Sequence, residues 1–343
     1  MPATLGVDDL AALARGFSLL GSGGGGRTAI LESVVRRTVS WPVALHESEG
    51  LDPSTPCVAV GIAGSTYLLA ERLPRVEAFE RLLAAAHRWT GTAPGAVCAI
   101  EGAGLNGLTP LLLTGGLRFV DADFMGRALP GLDQMSLIVD AVPGVVCAAS
   151  TGDQGITLVE SPVRGDVEQI VRSALVQAGG ANEVLVAGFT VGDLREHAIG
   201  GTVSRALSLG RAFEATGPGA ASRLAHDLGV SLLGVGRVVD VAERSATSAS
   251  SIEVAGDDGA ILRLVAGSEF VMLLRDGAVI AEVPDIIVAV DSISRDILEV
   301  DALTPPRHVT LLGIPAPAWW RAREARLRAV DTRAFGLTEP RRA

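Results

Sequence analysis

The chain has 343 residues, of which 48% are hydrophobic and 20% are charged, and its formal net charge is −10. This length predicts about two domains, and the hydrophobic content excludes a disordered chain. The acidic balance argues against nucleic acid and anionic membranes as partners, because both attract clustered positive charge. No apolar run reaches the roughly 18 residues of a membrane span. The N-terminal residues also lack the basic and apolar regions of a signal peptide, so we expect a cytoplasmic protein.

The basic residues are all arginine, 29 in number, and the sequence contains no lysine. Schiff-base chemistry, a Walker-type phosphate lysine and a catalytic lysine base are therefore excluded. A single tyrosine, Tyr67, and no lysine exclude a Tyr/Lys dehydrogenase dyad as well. Three widely spaced cysteines, Cys57, Cys98 and Cys147, lie in apolar runs, which predicts buried free thiols on strands and no zinc-finger or redox motif.

Predicted helices and strands alternate through the first half of the chain. Asp8 is placed to cap a helix whose apolar residues keep helical spacing as far as Leu20, and Gly21 ends that helix. Further helices are predicted at 28–37, 75–89 and near 108–113, and strands at 57–62, 96–100 and in the run that ends at Asp121. Alternation of this kind favours an α/β fold with a mostly parallel sheet.

The pattern changes after about residue 160. Helices are predicted at 166–178 and 202–215, followed by strands at 232–241, 251–255, 261–265, 270–274, 279–283 and 286–290, with tight turns between several of them. Short strands with tight turns are typical of an antiparallel β domain. We therefore place an α/β domain at 1–165 and a β-rich domain at 166–343. The Arg-rich residues 321–343 predict an exposed terminal helix and tail.

Two carboxylates, Asp121 and Asp123, follow the strand that ends at Asp121, and Arg127 comes soon after them. Residues i and i+2 of a strand share a face, so these two side chains can converge on one point. A converged pair holds a cation or shares a proton, and a metal, Arg127 or solvent must offset its repulsion. The alternative is a solvated strand end in which an Asp caps the next turn.

A glycine run, GSGGGG, occupies residues 21–26. A helix is predicted before it, whereas a dinucleotide-binding fingerprint needs a strand there, so a Rossmann cofactor is not expected. The N–H groups of Gly23, Gly24 and Gly25 can instead hold an anion or an oxyanion at the start of the next helix. The alternative is a plain turn between two helices.

Six segments taken together resemble a known family. They are GSGGGG at 21–26, EGAGLNG at 101–107, VDADFMGRALP at 120–130, VGRVVDVAER at 235–244, EVPDIIVAVD at 282–291 and TRAFGLT at 332–338. The chain resembles the S-methyl thiohydantoin desulfurase-like family, formerly a domain of unknown function encoded beside hydantoinase and oxoprolinase genes. The likeness extends over almost the whole chain, and its most specific part is D-x-D-x-M-G-R-A-x-P. It implies an N-terminal α/β domain and a C-terminal domain that contains β structure.

The resemblance implies hydrolysis of a five-membered cyclic amide or of its sulfur analogue, with a divalent metal such as zinc. A ring carbon between two nitrogens needs an activated water and a stabiliser for the developing anion, and a metal can supply both. Asp121 and Asp123 are the candidates for metal ligation or general base catalysis. Zinc usually has imidazole or thiolate ligands, and among five scattered histidines His197 is the one chosen as a ligand, with a capping or surface role as its alternative.

Other residues are expected at the same site. Glu101, a third catalytic candidate, and Asn106 follow a neighbouring strand, and parallel sheets bind ligands at the carboxyl ends of their strands. Arg127 or the backbone of the glycine loop would hold the anionic part of the substrate. Glu269 is the one residue of the family's Gln-Asn-Glu triplet that this chain keeps, and it joins the predicted substrate-binding residues.

The sequence departs from the family pattern at three places. Arg27 stands where the glycine loop normally ends in an acid, residues 245–251 read SATSASS instead of a Gly-Phe-Thr-Gly-like element, and residues 266–268 read Ala-Gly-Ser before Glu269. These losses motivate a second hypothesis, a non-catalytic companion subunit or ligand-binding protein of a hydantoinase or oxoprolinase. In either case we expect a homo-oligomer.

Overall fold

The computed structural model describes residues 2–65, 68, 75–152, 154–217, 219–242 and 249–337. Within these residues the chain forms two eight-stranded sheets and one two-stranded ladder. The strands are β1 Ala3–Leu5, β2 Val43–His46, β3 Pro56–Gly64, β4 Ala96–Ala99, β5 Arg118–Val120, β6 Ala122–Asp123, β7 Val146–Ser150, β8 Ile156–Val159, β9 Ala181–Thr190, β10 Ile199–Gly200, β11 Ser231–Ala242, β12 Ser250–Gly256, β13 Ile261–Ala266, β14 Phe270–Arg275, β15 Ala278–Glu282, β16 Ile286–Asp291, β17 Ile297–Leu298 and β18 His308–Ile314.

Helices are interspersed with these strands along the chain and are numbered in chain order. They are α1 Leu10–Leu20, α2 Ala29–Thr38, α3 Val76–Thr90, α4 Gly104–Leu108, α5 Ser136–Val139, α6 Arg164–Gln177, α7 Val191–His197, α8 Thr202–Ala215, α9 Ala221–Leu228, α10 Ala318–Arg321 and α11 Glu324–Arg328. Short 3-10 helices occur at Val7–Asp9, Ser48–Gly50, Thr109–Leu113, Leu132–Gln134, Val300–Ala302 and Thr332–Phe335. None of the described helices is long and apolar enough to cross a membrane.

The first sheet has the strand order β1-β2-β5-β4-β3-β9-β7-β8. Its central strands β2, β5, β4 and β3 run parallel, whereas the pairings of β1 with β2, β3 with β9, β9 with β7 and β7 with β8 are antiparallel. The sheet is therefore mixed, and the prediction of a mostly parallel sheet is wrong. Strands that are buried on both faces are apolar whether they pair in parallel or antiparallel. Their amino-acid composition therefore does not show which way they run.

Strand β9 enters the first sheet between β3 and β7, although it follows α6 in the chain. The first sheet thus contains residues from both sides of the predicted boundary near residue 165, and that boundary stays a prediction. The second sheet, in the order β15-β14-β13-β12-β11-β18-β16-β17, is antiparallel throughout. It confirms the prediction of a β-rich second half.

The three cysteines are free and buried, Cys57 on β3, Cys98 on β4 and Cys147 on β7, as their apolar sequence neighbourhoods predicted. The C-terminal stretch differs from its prediction. Within the predicted stretch, Arg326, Ala329 and Val330 are buried, so residues 321–337 are not a wholly exposed helix and tail. The prediction rested on the many arginines of this segment and overlooked the apolar residues between them. Residues 338–343 lie outside the described part of the chain.

Helices α1 and α8 pack closely where a glycine of each helix lies against the backbone of the other. A Cβ atom at Gly16 would lie 1.8 Å from the carbonyl oxygen of Ala206, and a Cβ at Gly210 would lie 1.7 Å from that of Ala12. The two backbones are therefore in direct contact at these points, because only hydrogen fits there. This contact fixes α8 against the first half of the chain, and the N-terminus of α8 adjoins the site described below.

We predict that Gly210→Ala destabilises the protein by about 1–3 kcal/mol, since the added methyl group must separate the two helices. Gly165→Ala on α6 is the matched control, because the nearest atom to its Cβ is the end of the Gln169 side chain at 3.8 Å. That control should lie within about 0.5 kcal/mol of the wild type. Urea unfolding of the three proteins measures the difference, and equal stability of both variants would refute the contact.

Candidate active site

A cavity of about 600 Å³ lies beside the end of β4, where both halves of the chain contribute to its wall. This volume is within the range of roughly 300–1,000 Å³ that small-molecule sites occupy. Among the described residues, the polar and charged side chains in its wall are Ser65, Glu101, Asn106, Glu168, Arg172, Ser268 and Glu269. Three predicted site residues, Glu101, Asn106 and Glu269, are thus brought together, along with Gly25 of the glycine loop.

Asn106, on α4, holds the carboxyl group of Glu101 in place. Its Nδ2 donates to Glu101 Oε1 at 2.8 Å and to the carbonyl of Ile62 at 3.0 Å, and its Oδ1 accepts from the N–H of Ile62 at 2.6 Å. The two bonds to β3 determine which end of the amide is the donor. The second carboxyl oxygen of Glu101 accepts from the N–H of Leu129 at 3.3 Å.

Burial raises the pKa of Glu101 to about 8. The hydrogen bond from Asn106 opposes this rise, the negative charge of Glu269 adds to it, and the N–H of Leu129 opposes it more weakly. Only 7% of Glu101 is exposed, so desolvation outweighs both hydrogen bonds. At neutral pH this carboxyl therefore carries a proton inside a cavity large enough for a ligand.

Glu269 comes from the second half of the chain, directly before β14, and is 5% exposed. Its Oε2 accepts a hydrogen bond from Ser268 Oγ at 2.8 Å. The glycine loop lies against it, since a Cβ at Gly24 would be 2.6 Å from Glu269 Cγ. Any larger residue at position 24 would displace this carboxylate.

The other glycines of the loop also make close contacts with both halves of the chain. The carbonyl of Gly23 accepts from the N–H of Val300 at 2.9 Å, and that of Gly25 accepts from the N–H of Leu105 at 3.0 Å. Gly25 has a φ of 80°, a conformation that favours glycine. An anion-binding role for the loop's N–H groups stays a prediction.

Arg127 is fully buried, and it is not part of the cavity wall that the described residues form. Its guanidinium donates to the carbonyls of Ala128 at 3.0 Å, Pro284 at 3.1 Å, Asp285 at 2.6 Å and Phe270 at 3.3 Å. Burial lowers the pKa of Arg127 to about 10, and the charge of Glu269 is the strongest influence in the opposite direction. Arg127 thus holds the second half of the chain in place beside Glu269, and its predicted contact with substrate stays a prediction.

Asp121 and Asp123 both bind the first turn of α8. Asp121 accepts from the N–H of Val203 at 2.7 Å and from Ser204 Oγ at 2.5 Å. Asp123 Oδ2 accepts from Thr202 Oγ1 at 2.5 Å. A helix N-terminus presents unpaired N–H groups and a partial positive charge. Asp121 pairs with the N–H of Val203, whereas Asp123 is bound to this turn through the hydroxyl of Thr202.

Asp123 also caps the turn that follows it, because its Oδ1 accepts from the N–H groups of Met125 at 2.7 Å and Gly126 at 2.5 Å. Burial raises the pKa of both aspartates, and these hydrogen bonds oppose the rise. The capping alternative from the sequence therefore describes the hydrogen bonds of Asp123, but the strand end is buried and not solvated, since Asp121 is 6% and Asp123 is 0% exposed. The partners of the two aspartates lie about 80 residues further along the chain, a distance over which sequence spacing carries no information.

The third predicted metal ligand, His197, lies elsewhere. Its Nδ1 is 2.8 Å from Asp140 Oδ2, and Asp140 Oδ1 accepts from Arg326 Nε at 2.9 Å. Nowhere in the described part of the chain do three His, Cys, Asp or Glu side chains gather as metal ligands. Because the oxygens of Asp121 and Asp123 already accept hydrogen bonds from N–H and O–H groups, this donor set does not fit a metal ion. The divalent metal stays a prediction without a site among these residues.

Comparison with protein-family models decides the family. The model of the S-Me-THD-like N-terminal domain matches residues 8–161, and that of the S-Me-THD-like C-terminal domain matches residues 162–342. The chain belongs to the S-Me-THD-like family. The resemblance inferred from the six sequence segments is thereby confirmed.

Two further comparisons accompany this assignment to the S-Me-THD-like family. The crystal structure of a protein from Chromobacterium violaceum is 21% identical in sequence, covers 98% of each chain and has a TM-score of 0.80. At this identity the likeness shows the fold alone. No curated protein matches the chain.

The departures from the S-Me-THD-like pattern fall partly at the cavity. Ser268, next to the retained Glu269, is in its wall, whereas Arg27 lies in a neighbouring cavity and pairs with Glu299, with 3.5 Å between Nε and Oε2. Of the altered segment 245–251, residues 245–248 lie outside the described residues.

Sequence inspection missed two charged residues of the cavity wall, Glu168 and Arg172 on α6. Their spacing of four residues with opposite charge predicts a surface ion pair on a helix, which is the usual role of such a pair. Nothing in the sequence places α6 beside Glu101, because the contact depends on how α6 packs near residues 130–132.

We predict that Asp123→Asn lowers the free energy of unfolding by at most about 1 kcal/mol. The amide oxygen still accepts from the N–H groups of Met125 and Gly126, and the amide nitrogen replaces only the acceptor of Thr202 Oγ1, which keeps its bond to the carbonyl of Ile199. Asp123→Ala should cost about 2–4 kcal/mol, because it leaves those buried donors without a partner. Urea unfolding of both variants, with metal content measured on the same samples, tests this. Loss of bound metal in Asp123→Asn, at unchanged stability, would instead show that the carboxylate holds a cation.

Proposed function

We propose that the protein hydrolyses a thiohydantoin- or hydantoin-like ring in this cavity, with Glu101 as general acid and Glu269 as general base. Membership of the S-Me-THD-like family supports the substrate class. The observation that carries the proposed chemistry is the buried carboxyl of Glu101, whose pKa is raised to about 8 beside a second buried carboxylate. Two carboxyl groups in different environments are the usual basis for dividing acid and base roles.

Glu101 is suited to donate a proton. A general acid works best when its pKa lies near the working pH, and burial brings Glu101 there. Asn106 orients the carboxyl group through its bond to Oε1. A positioned acid of this kind would protonate a ring nitrogen and so make the adjacent carbon more electrophilic.

Glu269 is suited to accept a proton. The charge of Arg127 interacts with that of Glu269, and a positive neighbour favours an ionised carboxylate. Ser268 holds one of its oxygens. The two carboxyl groups therefore face the same cavity with different partners, Asn106 and Leu129 for Glu101 and Ser268 for Glu269.

For a ring with a sulfur substituent, Glu101 gives its proton to the ring nitrogen that is doubly bonded to the reacting carbon. Glu269 takes a proton from water as the water oxygen bonds to that carbon. The C–S bond then breaks, the thiolate takes the proton from Glu269, and the hydroxyl proton returns to Glu101 as the carbonyl forms. One water is consumed and one thiol is released. In a hydantoin, the same acid would protonate the leaving nitrogen of the C–N bond.

We predict that kcat/KM on an S-methylated thiohydantoin falls about tenfold per pH unit above an apparent pKa of about 8, because Glu101 must carry a proton. Glu101→Gln keeps the size but removes the transferable proton, so kcat/KM should fall by roughly 10²–10⁴-fold. Glu80→Gln, at an exposed position of α3, is the matched control and should retain full activity. The measurement is thiol release across pH 6–10.

A rate that rises through pH 8, or full activity of Glu101→Gln, would refute the role of Glu101. Binding of the ring by the wild type without turnover would favour the second hypothesis, a ligand-binding or companion protein. Activity that appears only after addition of a hydantoinase or oxoprolinase would identify the companion role specifically.

A further inference from the structure

Helix α6 contributes an ion pair to the wall of the cavity. Arg172 Nε donates to Glu168 Oε1 at 2.7 Å, and Arg172 Nη2 donates to the carbonyl of Pro130 at 2.7 Å. Glu168 Oε2 accepts from the N–H of Leu132 at 2.7 Å. The guanidinium is thus held in one orientation by a carboxylate on its own helix and by the segment 130–132.

Arg172 is the one cationic side chain among the described residues of the cavity wall, and its side chain is 39% exposed. Both oxygens of Glu168 are already engaged, one by Arg172 and the other by Leu132. The two bonds that Arg172 makes use only part of its planar set of donors. At this end of the cavity, Arg172 therefore still has N–H groups that can donate to a ligand. A positively charged donor of this kind suits a carboxylate.

One short segment connects this ion pair to Glu101. The N–H of Leu129 bonds to Glu101, and the carbonyl of the next residue, Pro130, bonds to Arg172. Two residues of extended chain and two hydrogen bonds together span at most roughly 13 Å. The carboxyl group of Glu101 and the guanidinium of Arg172 therefore lie within that distance of each other. Apolar side chains, including Leu129, Leu132 and Leu175, line the wall near them. A ring at Glu101 with a short side chain that ends in an anion can therefore reach Arg172.

We propose that Arg172 is a specificity-determining residue that binds an anionic substituent of the ring, so that the preferred substrate carries a carboxylate on a short side chain. This inference rests on the function proposed above for the choice of ring. It assigns recognition of the anion to Arg172, whereas the sequence assigned it to Arg127 or the glycine loop.

The test compares two matched ring compounds, the 5-carboxymethyl hydantoin and its 5-carbamoylmethyl amide, which have nearly the same shape but differ in charge. Calorimetry measures the binding of each compound to the wild type, to Arg172→Met and to Arg36→Met. Arg36 is the matched control because it also pairs with a glutamate four residues away, Glu32, but on α2 and outside the cavity. The S-methylated thiohydantoin analogues of the same two compounds are used for kcat/KM.

We expect Arg172→Met to weaken binding of the acid by about 10- to 100-fold, the loss of a charge-assisted hydrogen bond, and to change binding of the amide less than about threefold. The control should bind both compounds as the wild type does. Equal losses for acid and amide would show that Arg172 only shapes the cavity, and unchanged binding of the acid would overturn the proposal. The calorimetry is repeated with the same arginine variants in the Glu101→Gln background, where the proposed hydrolysis is disabled. Binding is then measured without turnover, and a failure of the hydrolase proposal would not be mistaken for a failure of this one.

Discussion

The buried guanidinium of Arg127 holds the two halves of the chain against each other. A buried charge is costly unless hydrogen bonds compensate for its lost hydration. Arg127 meets this requirement with four carbonyl oxygens, of which three belong to residues after 269. The loop that carries Glu269 is thereby fixed beside the motif that contains Arg127. Glu269, carried by that loop, is one of the residues in the cavity wall and one of the charges that raise the pKa of Glu101.

The motif around Asp121 and Asp123 thus supports the site from outside it. The two aspartates anchor α8, Asp123 turns the chain at Met125 and Gly126, and the residues that follow reach the cavity. Leu129 then bonds to Glu101, and Pro130 bonds to the arginine of α6. The two aspartates look like metal ligands in the sequence. In the structure their segment instead positions the residues that bind Glu101 and Arg172.

Local pattern predicted much of this architecture. Helical spacing predicted α1, and alternation with tight turns predicted β11 to β16 within about two residues of their observed ends. No strand was predicted at β9, Ala181–Thr190. The partners of Asp121 and Asp123 and the position of α6 could not be predicted, because each depends on contacts between distant parts of the chain. For the same reason the sequence placed Glu101 and Asn106 at one sheet edge but could not show that Glu101 is buried beside Glu269.

The most direct test of the account is the titration of Glu101 itself in the ligand-free protein. Carbon-13 NMR of side-chain carboxyl groups, compared between the wild type and Glu101→Gln, identifies its signal without any assumption about substrate. The account predicts one carboxyl signal that titrates near pH 8 and is missing from the variant. A Glu101 signal that titrates near the unperturbed value of about 4.3 would contradict it, since the carboxyl would then be ionised at neutral pH and unable to act as the acid.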